Sequence, residues 1–274
     1  MAGLSAAILI AGGIAFESRS ENLSPISLQR TKVGEFFSRD DKHVYDTWGK
    51  VVQGADPKTF KLCEPRDFSG CAIDGTNTIY VDIYGDGSIS RLPADFGSFK
   101  MLNLSYAVDR NNVFSLYAGE EGPPPHIIAG ADARSFVSWQ HMMWYAKDNN
   151  RVYVGGLTVT PPVDPATVSV LDRRYLKDSK HVYLVPTPHW RLAGPWIGDK
   201  VAIISQADPN TFTLLQSSAG NVVYAKDAYR VYYGDQTVVG ADHDSFRAVG
   251  ARPRYDAEDR YRKYLNGQAA TITE

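Results

Sequence analysis

Two stretches far apart in the chain are written in one pattern. Residues 36–62 read FFSRDDKHVYDTWGKVVQGADPKTFKL, and residues 223–249 read VYAKDAYRVYYGDQTVVGADHDSFRAV. Each holds an aromatic, an Asp, a Val-Tyr pair whose Tyr falls five places after the Asp, a turn, a Val pair, then Gly-Ala-Asp and a Phe. The frame recurs at Tyr145-Ala146-Lys147-Asp148 with Val152-Tyr153 and Asp164-Pro165, and at Tyr175-Leu176-Lys177-Asp178 with Val182-Tyr183 and Asp208-Pro209. Another copy runs from Tyr106 and Asp109 through Val113-Phe114 to Gly130-Ala131-Asp132 and Phe136, and weaker copies start near Asp74 and Asp259. The key Asp residues stand at 40, 74, 109, 148, 178, 227 and 259, so the spacing runs from 30 (148 to 178) to 49 (178 to 227). A chain built this way cannot bury the apolar face of one unit alone, so neighbouring units must stack.

Each unit reads physically as short strands and turns. Tyr145-Ala146-Lys147 alternates and suits a strand. Asp148-Asn149-Asn150 is a turn, because Asx side chains bond nearby backbone and tolerate left-handed conformations. Arg151-Val152-Tyr153-Val154 is a second strand, Gly155-Gly156 reverses the chain, and Leu157-Thr158-Val159 returns. Asp-Pro then opens one helical turn, and the Phe or Val after it drops into the core. The expected fold is all-β: tandem antiparallel meander repeats, about seven units, forming a curved array or a propeller-like arrangement. One repeat domain spans 36–268, with units near 36–70, 71–103, 104–142, 143–172, 173–221, 222–252 and 253–268. The 16 Tyr residues largely fill two recurring slots in this frame, so the tyrosine count reports a scaffold and not a binding surface.

Lys147-Asp148-Asn149-Asn150, Asp109-Arg110-Asn111-Asn112 and the block Gly54-Ala55-Asp56-Pro57-Lys58-Thr59-Phe60 resemble the DKNN-repeat family of bacterial proteins. Two blocks recurring in register carry the resemblance over most of residues 36–268. It implies a repeat scaffold and no defined chemistry. The pattern departs at residues 72–102, where Asp74 is shifted by one place and Leu92-Pro93-Ala94-Asp95 stands for Gly-Ala-Asp-Pro.

The repeat is interrupted twice in the same slot. From the second-strand aromatic to the next Asp, ordinary units need 10 or 11 residues (Tyr232 to Asp242, Tyr45 to Asp56, Tyr153 to Asp164). Phe114 to Asp132 needs 18 and Tyr183 to Asp208 needs 25. Insertions at one slot emerge on one face, often the binding face. The first carries Glu120 and Glu121 before a run of prolines and His126 after it; the second carries His189, Trp190, Arg191 and Trp196. Proline stiffens such loops, and Trp and Arg are favoured anchors, so these are the expected partner-binding residues. The bland alternative is that both Trp side chains cover the edge of the fold.

Lys plus Arg is 29 against 31 Asp plus Glu, a net charge of −2, which excludes a dedicated nucleic-acid binder. The apolar run Leu4 to Phe16 is too short for a comfortable membrane span and fits the core of a secretory signal or an anchor over residues 1–20, although no Lys or Arg precedes Arg19. A buried first strand or helix is the alternative. Cys63 and Cys71 enclose CEPRDFSGC, a loop that can bring two β-carbons to bridging distance in an oxidising compartment; two unrelated buried thiols are the other reading. These features place the chain in the periplasm or the bacterial envelope, with membrane contact only through the N-terminal segment.

Phosphate-cradling loops, a dinucleotide fingerprint, a nucleophile elbow and a zinc-binding His-Glu-x-x-His are all missing from the sequence. No catalytic residue, cofactor or metal is therefore expected. The recurring Asp side chains suggest calcium only weakly, because one Asp per turn is used up in backbone capping. The reading that joins these features is a non-catalytic protein-binding module. By analogy with exported repeat proteins, its concrete form is an immunity protein that neutralises a secreted toxic effector such as a phospholipase. A glycan- or cell-wall-binding module is the alternative, and a propeller-type hydrolase a third.

Overall fold

The computed structural model describes residues 30–63, 70–82, 87–116, 124–185, 200–216, 224–250 and 254–271. Alternation in each Tyr-x-Lys and Val-Tyr-x segment produces strands of two to four residues, and the Asp-centred turns reverse them. The described strands form seven antiparallel sheets in sequence, the first three-stranded and the rest four-stranded, with strands consecutive in the chain hydrogen-bonded to each other within each sheet. The sheets cover residues 31–45, 61–93, 100–127, 137–158, 169–203, 213–237 and 247–269. The fold is all-β, as tandem meanders, and no helix occurs among the described residues.

Sheets and sequence units are offset by one strand. Lys61–Leu62 follows the Asp56 turn of the first unit but pairs with Cys71–Asp74 of the second. Val137–Ser138, Ser169–Val170, Thr213–Leu215 and Arg247–Ala248 cross over in the same way. The expected helical turn is cut short for this reason. Phe60 N–H reaches Asp56 O at 2.9 Å, and the chain then enters the next sheet instead of winding on.

The two faces of each sheet meet different neighbours. In the fourth sheet, Ala146 and Tyr153 join a core with Tyr106, Val113 and Ile128 of the third. Tyr145, Val152 and Val154 join a core with Leu176 and Tyr183 of the fifth. Six such cores run along the chain, each joining two consecutive sheets, and none among the described residues joins the first sheet to the last. The Phe of each crossing turn is the wedge between sheets. Phe136 stacks 5.4 Å from both Tyr106 and Tyr153, and Phe212 stands 5.7 Å from Tyr175 and 5.6 Å from Tyr232.

The end sheets depart from this scheme. Register puts Arg30 in the Phe136 slot, and its guanidinium lies 3.7 Å over the Tyr45 ring. In the seventh sheet, Lys263 and Leu265 replace the core-facing Val152 and Val154, and Arg247 pairs with Glu258 at the surface. Polar end faces of this kind suit the terminal units of a stacked array.

Cys63 and Cys71 are bridged, with Cα atoms 5.4 Å apart, and both are buried in the core between the second and third sheets.

Candidate functional site

The Asp turns lie along one edge of the stack and join each unit to the next. Asp148 shows the arrangement. Its Oδ1 accepts the N–H groups of Asn150 and Arg151, both at 2.7 Å, which closes the turn. Its Oδ2 accepts the Tyr153 hydroxyl at 2.6 Å and, from the preceding unit, the Asp132 N–H at 2.9 Å. Asp132 in turn accepts from its own turn, through Arg134 N–H at 3.1 Å and the Ser135 hydroxyl at 2.6 Å. Ser135 Oγ then accepts the Asn149 N–H at 3.1 Å, which completes a clasp across two units.

The clasp is repeated along the edge. The crossing N–H donors Asp56, Asp95, Asp164, Asp208 and Asp242 bond to Asp74, Asp109, Asp178, Asp227 and Asp259 at 2.7–3.1 Å. Two departures are compensated locally. Asp74, displaced by one place in the sequence, still accepts the Tyr80 hydroxyl at 3.1 Å, because Asn77 takes a left-handed φ of 60° and lengthens the turn. Phe114 has no hydroxyl, and Asn112 Nδ2 donates to Asp109 Oδ2 at 3.2 Å instead.

These bonds set the ionisation of the carboxyls. Burial alone disfavours charge on Asp148, Asp178 and Asp227, but the tyrosine hydroxyl and backbone N–H groups outweigh it and hold each carboxyl below its usual range. Asp259 is drawn down to about 2 against the same opposing burial. The tyrosines move the other way: burial first, and the Asp259 carboxylate second, push Tyr264 up to about 12. A carboxyl depressed on folding stabilises above its unfolded pKa, near 4, and that stability is lost as pH falls through the folded value. A tyrosine raised on folding stabilises below its unfolded pKa, near 10, and loses that contribution as pH climbs through the folded value. Urea midpoints are therefore expected to be level from about pH 5 to 9, to drop between about 4 and 2, and to drop again above about 10. Level midpoints down to about pH 2 would contradict the clasp electrostatics.

The opposite edge is where units differ. The strands alternate in direction, so the connections from first to second strand and from third to fourth strand all leave from this edge. Tyrosines of the second strands cross the seams here: Tyr106 donates to Trp144 O at 2.7 Å and Tyr145 to Arg173 O at 3.0 Å. Tyr224 donates to Asp256 Oδ1 at 2.6 Å and accepts the Gly267 N–H at 2.9 Å. Both insertions fall in third-to-fourth connections, between Ser115 and His126 and between Leu184 and Ala202. Of the expected partner-binding residues, only His126 is described; it is half-buried, and its Nδ1 lies 2.9 Å from Pro124 O. Residues 1–20 and Glu120, Glu121, His189, Trp190, Arg191 and Trp196 lie outside the described residues.

Sequence reasoning passed over a third feature of this edge. The turn Trp139-Gln140-His141-Met142-Met143-Trp144 enters the fourth sheet beside Leu104, and Met143 and Leu104 are exposed. Asn103 Nδ2 holds it in place through Met143 O at 3.2 Å. Its length and its Trp and Met content, against Leu171-Asp172-Arg173-Arg174 in the next unit, were the available signal.

Among the described residues, no group of three or more His, Cys, Asp or Glu side chains is placed to hold a metal ion, and no helix is long and apolar enough to cross a membrane. No curated protein and no solved structure matches the chain. The model of the DKNYY family matches residues 115–268, which run from the end of the third strand of the third sheet, through the first insertion, into the last strand of the seventh sheet. With more than half of its length matched and the clasp repeated throughout, the chain belongs to the DKNYY family.

Proposed function

We propose that the chain is a non-catalytic protein-binding scaffold of the bacterial envelope and that it neutralises a secreted toxic effector, for example a phospholipase, as an immunity protein. One observation carries this reading. The clasp edge is nearly uniform from unit to unit, while the strands that flank both insertions open on the opposite edge, where the Trp/Met turn also lies. A repeat stack with proline-bearing insertions opening from one edge suits capture of a single partner. The disulfide is compatible with an oxidising compartment.

The test is calorimetric titration of the full chain with the product of an effector gene encoded beside its own. A tight complex is expected, and Trp190→Ala is expected to weaken it about 30-fold, the effect of losing a ~2 kcal/mol anchor. No binding to any such effector removes the reading.

Tyr229 and Tyr261 favour a second reading. Both rings are exposed and occupy the same turn position in consecutive units, where a sugar ring can stack. Retention on a peptidoglycan or polysaccharide resin, abolished by Tyr229→Ala with Tyr261→Ala, would establish it in place of the first.

A further inference from the structure

The seam between the third and fourth sheets differs in chemistry from the others. Ser115 pairs with Tyr106 and His126 in the third sheet, as Val154 pairs with Tyr145 and Leu157 in the fourth. A polar pair thus stands where the repeat places an apolar one. Ser115 is fully buried, and its Oγ has no hydrogen-bond partner within the protein. A Cβ on Gly156, which crosses the seam at φ +83°, would collide with that hydroxyl, so the glycine lets the fourth sheet close directly over it. His126 Cε1 lies on the same spot. Because a carbonyl only accepts, Nδ1 of His126 is the donor in its contact with Pro124 O.

Two further orphaned groups belong to the facing sheet. Ser138 lies opposite Ala146, which packs into this seam, and its Oγ is buried without a partner. Trp144 takes the Tyr106 hydroxyl across the seam on its carbonyl, and its indole N–H is likewise buried and unpartnered. Among the described residues four buried side-chain polar atoms lack a partner, and these are three of them; Ser105 Oγ is the fourth.

We infer that this seam is a binding site for ordered internal water. The groups present ask for a ligand that accepts from an indole N–H and both donates to and accepts from a serine hydroxyl. Water is the smallest molecule that does so, and buried water characteristically bonds such groups. Leaving a buried hydroxyl without any partner disfavours folding by about five- to a hundredfold, so Ser115 and Ser138 together would select against the arrangement unless they were satisfied. The inference does not depend on the proposed function. It makes this seam, beside the first insertion, one joined partly through solvent.

The deciding experiment is a high-resolution crystal structure of the full chain, with Ser115→Ala measured beside it. Ordered water within hydrogen-bonding distance of Ser115 Oγ, Ser138 Oγ or Trp144 Nε1 is expected. Ser115→Ala is expected to lower the folding equilibrium constant about fivefold, because it strips a partner from that water. Protein atoms alone around all three groups would overturn the inference, as would a Ser115→Ala chain as stable as the parent or more so, since a truly orphaned hydroxyl is better removed. Should the variant fail to fold, the parent structure decides alone.

Discussion

Asp148→Ala is expected to destabilise the chain by about 3–5 kcal/mol, read from urea denaturation followed by tryptophan fluorescence. The carboxylate is buried and accepts four hydrogen bonds, two from its own turn and two that fasten the wedge turn and Tyr153. Alanine opens the turn and strands a buried tyrosine hydroxyl and a crossing N–H together. Asp148→Asn should recover about half of the loss, because its carbonyl oxygen still closes the turn while its amide N–H₂ faces the Asp132 N–H. Asp41→Ala, next to the corresponding Asp of the first unit and exposed, is expected to stay within about 0.5 kcal/mol. A loss under about 1 kcal/mol for Asp148→Ala would mean that the clasp adds little beyond the strand pairing.

Phe136→Ala is expected to cost about 3–5 kcal/mol by the same measurement. The ring is buried between two tyrosines, so truncation removes apolar contact from both sheets and leaves a cavity that neither can fill without breaking its own register. Phe136→Leu keeps most of the volume and should cost no more than about 1.5 kcal/mol. The next wedge turn supplies an internal comparison. Val168 holds the Phe slot there, is only partly buried, and has no ring to stack on the tyrosines of its core. Val168→Ala should therefore cost about 1 kcal/mol, and a loss equal to that of Phe136→Ala would undo the wedge argument.

The strands and turns were legible in the sequence because their causes are local. Tyr145-Ala146-Lys147 alternates, Asp148 caps its own turn, and Gly155-Gly156 reverses the chain, all within a window that a reader of residues can scan. The second role of Asp148 was not legible. Its Oδ2 partner sits 16 residues upstream on a backbone N–H, which carries no side-chain signature. The strand offset was hidden for a related reason: Lys61-Leu62 reads as the tail of its own unit, and only pairing with Ala72 and Ile73 shows which sheet it joins. Asp74 appeared out of register because a one-residue lengthening of the turn looks like an error in the frame, yet its carboxylate reaches the same two partners as in the other units. At the variable edge the insertions were found by counting residues between fixed points. The Trp139–Trp144 turn escaped that count because it falls in the other connection of the meander.

The separation of the two edges has a practical consequence for chain continuity. Severing the segment between Leu184 and Ala202 is expected to leave its flanks attached, since Tyr183 pairs with Ile203 and Thr160 bridges to Lys200. A gene split in that segment is expected to yield two fragments that reassemble through sheet pairing. The turn between Asp148 and Arg151 has no such latitude, because there the covalent path and the inter-unit fastening are the same atoms.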